Sequence, residues 1–311
     1  MQEITKAYWA YASVSFFWGT TYLAIRIGAA VMPPALFAGI RFLLAGVIMT
    51  TFMSVKGKRI PRGRELFDCA VVGISLLTIG NGLVVISSKR IESSMIALII
   101  ATLPIFIVII ETFLPNGPRM TAKKAGGMLL GFLGIVLLLR PDTSLSFDSE
   151  FLEGTALALC ATVAWGSGSL YSKYRPKREP MMTAAMQMLI AGLVLCAIGL
   201  ARGETNAILF SWQGAGSILY LIVFGSIVGF GSYIYALTHL PASTVTTYAY
   251  LNPIVAVSLG WLILDERLDW WVGLSTAVIL TGVLLVNKSR ERKVIEPKTQ
   301  PERLISAVEE T

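Results

Sequence analysis

Charge is scarce in this sequence: only 14% of its 311 residues are Asp, Glu, Lys or Arg. Soluble domains carry about a quarter, so an ordinary soluble fold is excluded. There is a single histidine, His239, and the acidic residues are scattered. Intramembrane hydrolases and transferases need several such groups converging on one substrate, which argues against an enzyme. The three cysteines, Cys69, Cys160 and Cys196, are odd in number and fall inside apolar blocks. They suggest neither a disulfide framework nor metal-ligand spacing, and are expected to be small buried hydrophobes. No phosphate-cradling Gly-rich loop ending in Gly-Lys-Ser/Thr occurs, so the chain does not drive itself with ATP. No cofactor or metal is expected. Alternating segments of about ten residues, the signature of membrane strands, are also missing.

What is present is apolar sequence in long blocks. Hydrophobic residues make up 55% and Gly contributes 28, a glycine content that membrane helices tolerate better than soluble ones. A block of about 20 apolar residues at about 1.5 Å per residue crosses a hydrocarbon core of about 30 Å. Such blocks predict transmembrane helices at 7–28, 34–55, 66–87, 94–114, 122–139, 152–171, 181–200, 214–237, 242–264 and 270–286. The expected fold class is an all-α integral membrane protein of ten transmembrane helices. Breakers such as Pro33-Pro34, Lys56-Gly57-Lys58, Pro141-Asp142 and Arg175-Pro176 separate the blocks. No cleavable signal peptide is visible, because the first apolar block is too long.

The net charge of +7 sits in short loops beside apolar blocks, which points to topology rather than to nucleic acid. With the N-terminus in the cytoplasm, 19 Lys and Arg residues fall on the inner side and five on the outer. Both termini are therefore expected in the cytoplasm of a bacterial-type inner membrane.

The sequence also repeats itself. Trp18-Gly19 returns as Trp165-Gly166 and Pro33 as Pro180, both displaced by 147 residues. Ala45-Gly46 returns as Ala191-Gly192, Gly80 and Gly82 as Gly229 and Gly231, Pro104 as Pro253, and Gly134-Ile135 as Gly282-Val283. The expected domains are a first five-helix unit at 7–140, a second at 151–287, and a cytoplasmic tail at 288–311. Five crossings is an odd number, so the second unit must enter from the opposite side. Such inverted repeats underlie many secondary transporters.

The stretch Phe17-Trp18-Gly19-Thr20-Thr21-Tyr22-Leu23-Ala24-Ile25-Arg26, with Pro33-Pro34 and Ile40-Arg41-Phe42, resembles the EamA-type transporters of the drug/metabolite transporter superfamily. So do Tyr250-Leu251-Asn252-Pro253-Ile254-Val255-Ala256, Asp265-Glu266-Arg267 and Gly282-Val283-Leu284-Leu285. The resemblance spans roughly residues 7–287 in two tandem copies. It implies efflux of amino acids, other metabolites or drugs through a cavity lined mainly by spans 1, 3, 4, 6, 8 and 9. One departure stands out: the first copy has Leu114-Pro115-Asn116-Gly117 where the second has Leu264-Asp265-Glu266-Arg267.

Candidate residues for binding a small organic solute are Trp18, Tyr22, Arg41, Asn81, Trp165, Tyr233, Tyr248 and Asn252. Trp18 and Trp165 lie deep in their spans, away from the interfacial belts where Trp usually sits. With the tyrosines they form either an aromatic pocket or ordinary helix packing. Arg41 lies mid-span, where a charge is costly; it either binds a substrate carboxylate or locks helices together. Its second-copy counterpart is Gln187. Asn81 either lines a polar cavity or bonds between helices. Pro104 and Pro253 are the candidate hinges, since mid-helix proline frees carbonyls one turn earlier. Glu111 is expected to pair with Arg119, His239 to cap a helix end, and Arg26 to reach toward the outer interface. Trp270 and Trp271 are expected to anchor in the interface. Gly127, Gly131 and Gly134 permit a close helix contact, inside the chain or at a homodimer seam. The expected partners are thus the lipid bilayer and a small-molecule substrate. A channel remains the main rival to a transporter, although paired mid-span prolines suit rocking better than a fixed pore.

Overall fold

The computed structural model describes residues 2–113, 121–138, 149–175, 179–207, 211–240, 248–266 and 270–291. Arg119, Arg267, residues 241–247 and the chain beyond 291 lie outside the described residues. Among the described residues every regular element is helical and there are no strands.

Helix α1 spans Gln2–Val31 and α2 spans Pro34–Val55. Helix α3 runs Arg64–Ser87, and α4 runs Ser93–Phe113. Helix α5 is Ala122–Leu138, α6 is Ser149–Lys173 and α7 is Pro180–Ala201. Helix α8 starts as Trp212–Tyr220 and ends as Gly229–His239. Helix α9 is Tyr248–Leu264 and α10 is Trp270–Glu291. Six of the described helices are long and apolar enough to cross a membrane: Glu3–Val31, α2, α3, α4, α7 and Trp212–Tyr233. Pro34 and Pro180 open α2 and α7, where a missing amide hydrogen costs nothing.

Three helices depart from regular α geometry. Helix α3 widens into a π-helical segment at Ile74–Asn81, and α8 does so at Leu221–Val228, 147 residues later. Such wide turns are rare and, where they occur, are frequent at functional sites. Helix α4 is interrupted at Ala101-Thr102, between Ser93–Ile100 and Leu103–Phe113. Pro104 lies just past the break, as a proline that cannot donate requires. Its repeat partner Pro253 sits inside an unbroken α9.

Helix packing is set by small residues. A Cβ at Gly46 would fall 2.5 Å from the Leu189 amide nitrogen, and one at Gly39 would fall 2.7 Å from that of Cys196. Gly192 meets Leu43 and Gly199 meets Leu36 in the same seam. As the α2 number rises the α7 number falls, so α2 and α7 are antiparallel. The same holds for α5 and α10, where Gly127 faces Val286, Gly131 faces Gly282 and Gly134 faces Ile279. The glycines of α5 thus serve a contact inside the chain. Without a hydrophobic drive between helices in lipid, this close approach is what supplies dispersion energy.

The remaining helices form two clusters. Helix α1 packs on α8 and α9, while α6 packs on α3 and α4. Gly28 meets Ser217 and Gly214 meets Met32, so α1 runs antiparallel to α8. Ser75 bonds the Ala164 carbonyl and Ser87 bonds that of Gly154, so α3 runs antiparallel to α6. Phe37, Ile25, Leu98, Ile99, Ile105 and Leu221 are fully buried between them. Leu44, Val47, Ile48 and Phe52 on α2, and Leu129, Leu133 and Val136 on α5, are exposed. Such apolar outer faces are what a lipid-facing surface requires.

Candidate functional site

A belt of contacts crosses the middle of the bundle. The Trp18 indole Nε1 donates to the Gly225 carbonyl at 3.1 Å. That carbonyl belongs to the π-helical segment of α8. The Trp18 ring lies 5.3 Å from Tyr233 and 4.9 Å, edge-on, from Tyr248. Tyr233 and Tyr248 in turn meet edge to face at 5.9 Å. Arg41 approaches from the other side of the same glycine: a Cβ on Gly225 would lie 3.1 Å from Arg41 Nη2. Arg41 Nη1 donates to Asn81 Oδ1 at 3.4 Å. Beside Asn81, Gly80 packs under Trp165, whose ring carbon would lie 3.3 Å from a Cβ there. Trp165, Asn81, Arg41, Gly225, Trp18 and the two tyrosines therefore follow one another in unbroken sequence.

Arg41 is the energetic anomaly of this belt. It is 5% exposed, and its only hydrogen bond among the described residues is the long one to Asn81. Its Nε is buried without a partner. A charge at the centre of a membrane helix costs about 2.5–3.5 kcal/mol. A neutral acceptor returns about 1.5–3 kcal/mol at good geometry, and N–H···O bonds normally measure about 2.7–3.2 Å. The guanidinium also lies over the Phe42 ring, 4.6 Å from its centroid, which offsets part of the burial but fills none of its N–H donors. Two buried hydroxyls, Thr78 Oγ1 and Ser226 Oγ, also lack partners, and they occupy the π-helical segments of α3 and α8.

The other expected residues divide. Tyr22 is half-buried against the main core. Asn252 is buried, and with its amide nitrogen turned toward α1 it donates to Tyr248 O at 3.2 Å and Ser15 O at 3.0 Å. That arrangement ties α9 to α1. Trp165 has no ring or hydrogen-bond partner among the described residues, unlike Trp18. The reason is local: by the repeat, Tyr233 and Tyr248 correspond to Val84 and Ile99, both buried aliphatics. The aromatic cage is one-sided.

A cavity of about 190 Å³ opens at one end of the bundle, between α3, α6 and α7, and reaches inward to Gln187. Its rim is charged. Asp68 accepts from the Tyr171 hydroxyl at 2.6 Å and faces Arg64 and Arg175, each at 3.5 Å. Lys58 pairs with Glu179 at 3.1 Å. The equivalent corner of α1, α2 and α8 is filled instead, with Gly28 against Phe37 and Ser217, and Gly214 against Met32.

The opposite end holds a feature that sequence reasoning noted only as a motif. The Glu266 carboxylate is 7% exposed and accepts three hydrogen bonds at the start of α4. They come from Ser93 N at 2.8 Å, Ser93 Oγ at 2.7 Å and Ser94 N at 3.2 Å. Asp265 reaches this turn with φ of 51°, a left-handed conformation that Asp tolerates. Gly260 clears the space, since a Cβ there would lie 2.8 Å from the Glu266 carboxyl carbon. An anion at a helix N-terminus is favourable both for the orphan amides and for the helix dipole. Nearby, Arg26 donates to Ser88 O at 2.6 Å and to Ile91 O, so it fastens the α3–α4 turn. Glu111 is buried near the far end of α4, and its expected partner Arg119 lies outside the described residues. His239 sits in the last turn of α8, its Nδ1 2.9 Å from Tyr235 O.

Lipid-facing helices, glycine seams and a polar-aromatic belt buried at mid-depth define a multi-pass membrane protein with an internal polar site. The profile described as the EamA-like transporter family matches the chain twice, at residues 5–140 and 152–288. The chain belongs to that family, and its coarse function is membrane transport. It is 32% identical over 301 residues to "Uncharacterized inner membrane transporter YedA" of Escherichia coli K12, covering 96% of both chains. It is 22% identical to "Uncharacterized transporter YoaV" of Bacillus subtilis, over 88% of this chain and 94% of that one. A solved crystal structure at 18% identity superposes with a TM-score of 0.66, covering 93% of this chain and 99% of that chain, which shows a shared fold.

Proposed function

We propose that this protein is a secondary transporter that exports a small organic solute across the cytoplasmic membrane by alternating access. Its ten spans form two five-helix units, 7–140 and 151–287, inverted relative to each other, with both termini and the 288–311 tail in the cytoplasm. The observation that carries this reading is the belt itself. It draws Trp18, Arg41 and Asn81 from the first unit and Trp165, Gly225, Tyr233 and Tyr248 from the second, so a change in how the units meet changes the site.

Two further features support it. Equivalent helices of the two units, α2 with α7 and α5 with α10, pack antiparallel, as inversion demands. One end is open between α3, α6 and α7; the equivalent corner of α1, α2 and α8 is filled, and the cavity at that other end lies instead beside Arg26, Glu92 and Glu266. The open end carries Arg59 and Arg175 and is the cytoplasmic one by the distribution of positive charge. Pro104, beside the break in α4, is the better candidate for bending than Pro253.

The test is a metabolite-resistance screen of overexpressing cells, followed by flux of the recovered solute in proteoliposomes. Saturable flux in the reconstituted protein is expected; currents with channel-like conductance and no saturation would remove the transporter reading. In that assay Trp165→Ala should cut flux roughly two- to twelvefold, the worth of one aromatic contact of about 0.5–1.5 kcal/mol. Membrane insertion should be unchanged. Reporter fusions at the ends of α1 and α6 should report opposite directions of crossing.

A further inference from the structure

We infer that Arg41 is the anion subsite of the transported solute, and that this solute is a small organic carboxylate with an apolar body. This inference rests on the transporter reading and names the substrate class of that same site.

The geometry begins with the unused edge of the guanidinium. Nη1 is committed to Asn81 Oδ1, while Nε is buried and unbonded and Nη2 has no hydrogen-bond partner among the described residues. Nε and Nη2 lie on one edge, and together they present two parallel N–H groups at the spacing of a carboxylate. No acidic side chain among the described residues pairs with Arg41. The guanidinium is thus a fully buried cation whose best bidentate face meets no acceptor among the described residues.

The surroundings suit a carboxylate rather than a second cation. Thr78 Oγ1 and Ser226 Oγ are buried hydroxyls without partners, on the same π-helical segments that hold Asn81 and Gly225, the residues Arg41 meets. Hydroxyls of this kind can donate to a carboxylate oxygen that Arg41 leaves unfilled. Arg26, by comparison, places its Nη1 on two backbone carbonyls, Ser88 O and Ile91 O, whereas Arg41 reaches no backbone carbonyl among the described residues. On the far side of Gly225, Trp18 with Tyr233 and Tyr248 forms an aromatic wall, the apolar surface that the belt places beyond Arg41.

The test uses the purified full-length chain in detergent with 3-phenylpropionate, phenylalanine, phenylalaninamide and phenethylamine as a matched series. Both acids should raise the melting midpoint saturably, and the amide and amine should not. Arg41→Gln should abolish the response to the acids. Arg41→Lys, which keeps the charge but not the fork, should weaken it at least tenfold, and it serves where Arg41→Gln does not fold. An equal response to acid and amide, a wild-type response in either variant, or no saturable response to either acid would overturn the inference. Proteoliposome flux separates the two levels: wild-type flux of a non-carboxylate through the Arg41 variants sinks the carboxylate class and leaves transport standing.

Discussion

Glu266→Ala is expected to lower the melting midpoint of the detergent-purified protein by roughly 5–10 °C. The carboxylate, 7% exposed, accepts from Ser93 N, Ser93 Oγ and Ser94 N. Removing it strands three buried donors, each worth about 1–3 kcal/mol when left unpaired. It also removes a favourable charge at the α4 N-terminus. Glu266→Gln keeps an acceptor oxygen and should fall between wild type and Ala. Ser93→Ala, which removes one donor and leaves the carboxylate two, should cost the least. Melting curves followed by size-exclusion fluorescence give this order directly, and an Ala variant as stable as wild type would show that the latch contributes nothing.

Gly46→Leu is expected to be more severe still, with little or no monodisperse protein recovered. A side chain at this position meets the Leu189 backbone nitrogen at 2.5 Å and its Cα at 2.7 Å, neither of which can rotate away. Even one extra methylene in a well-packed interior costs about 1–3 kcal/mol, and here the whole α2–α7 seam would have to part. Gly126→Leu is the control. It sits on the same kind of helix with nothing within 4 Å of its Cβ position, so its yield and elution should match wild type. If both variants behave alike, close helix approach is not what holds α2 to α7.

Much of this fold can be read from the chain because lipid imposes a simple rule: a span must be long and apolar. The six long helices match the expected blocks to within a few residues at most ends, and Pro34 and Pro180 mark their starts. The break at Ala101-Thr102 follows from Pro104, yet the same residue type at 253 leaves α9 whole. Proline dictates a missing donor; whether the helix breaks depends on neighbours that sequence spacing does not contain. The two π-helical segments lie beyond sequence reading for the same reason, since a widened turn is fixed by what packs beside it.

The site was legible in its members more than in their arrangement. Arg41, Asn81, Trp18, Tyr233 and Tyr248 come together, whereas the matched Trp18 and Trp165 suggested equal roles that their surroundings do not supply. The signal was available: Val84 and Ile99 stand where the other copy has Tyr233 and Tyr248. Thr78 and Ser226 gave no such signal, because an unpaired hydroxyl is visible only once its neighbours are placed. Glu266 was visible as part of Asp265-Glu266-Arg267, but its partners lie 173 and 172 residues away along the chain.

The two glycine seams set limits on how this molecule can move. Each one welds a helix of the first half to its own counterpart in the second, α2 to α7 and α5 to α10. The halves therefore cannot separate as two blocks without tearing both welds. In the alternating-access reading, widening the belt would part α1, α8 and α9 from α3, α4 and α6, groups that each borrow members from both halves, about the α4–α9 contact that Glu266 latches. Under the alternating-access proposal, the welded pairs would serve as flanking axles while the trios between them tilt. Duplication supplied the parts, but the working bodies of the machine are assembled across it.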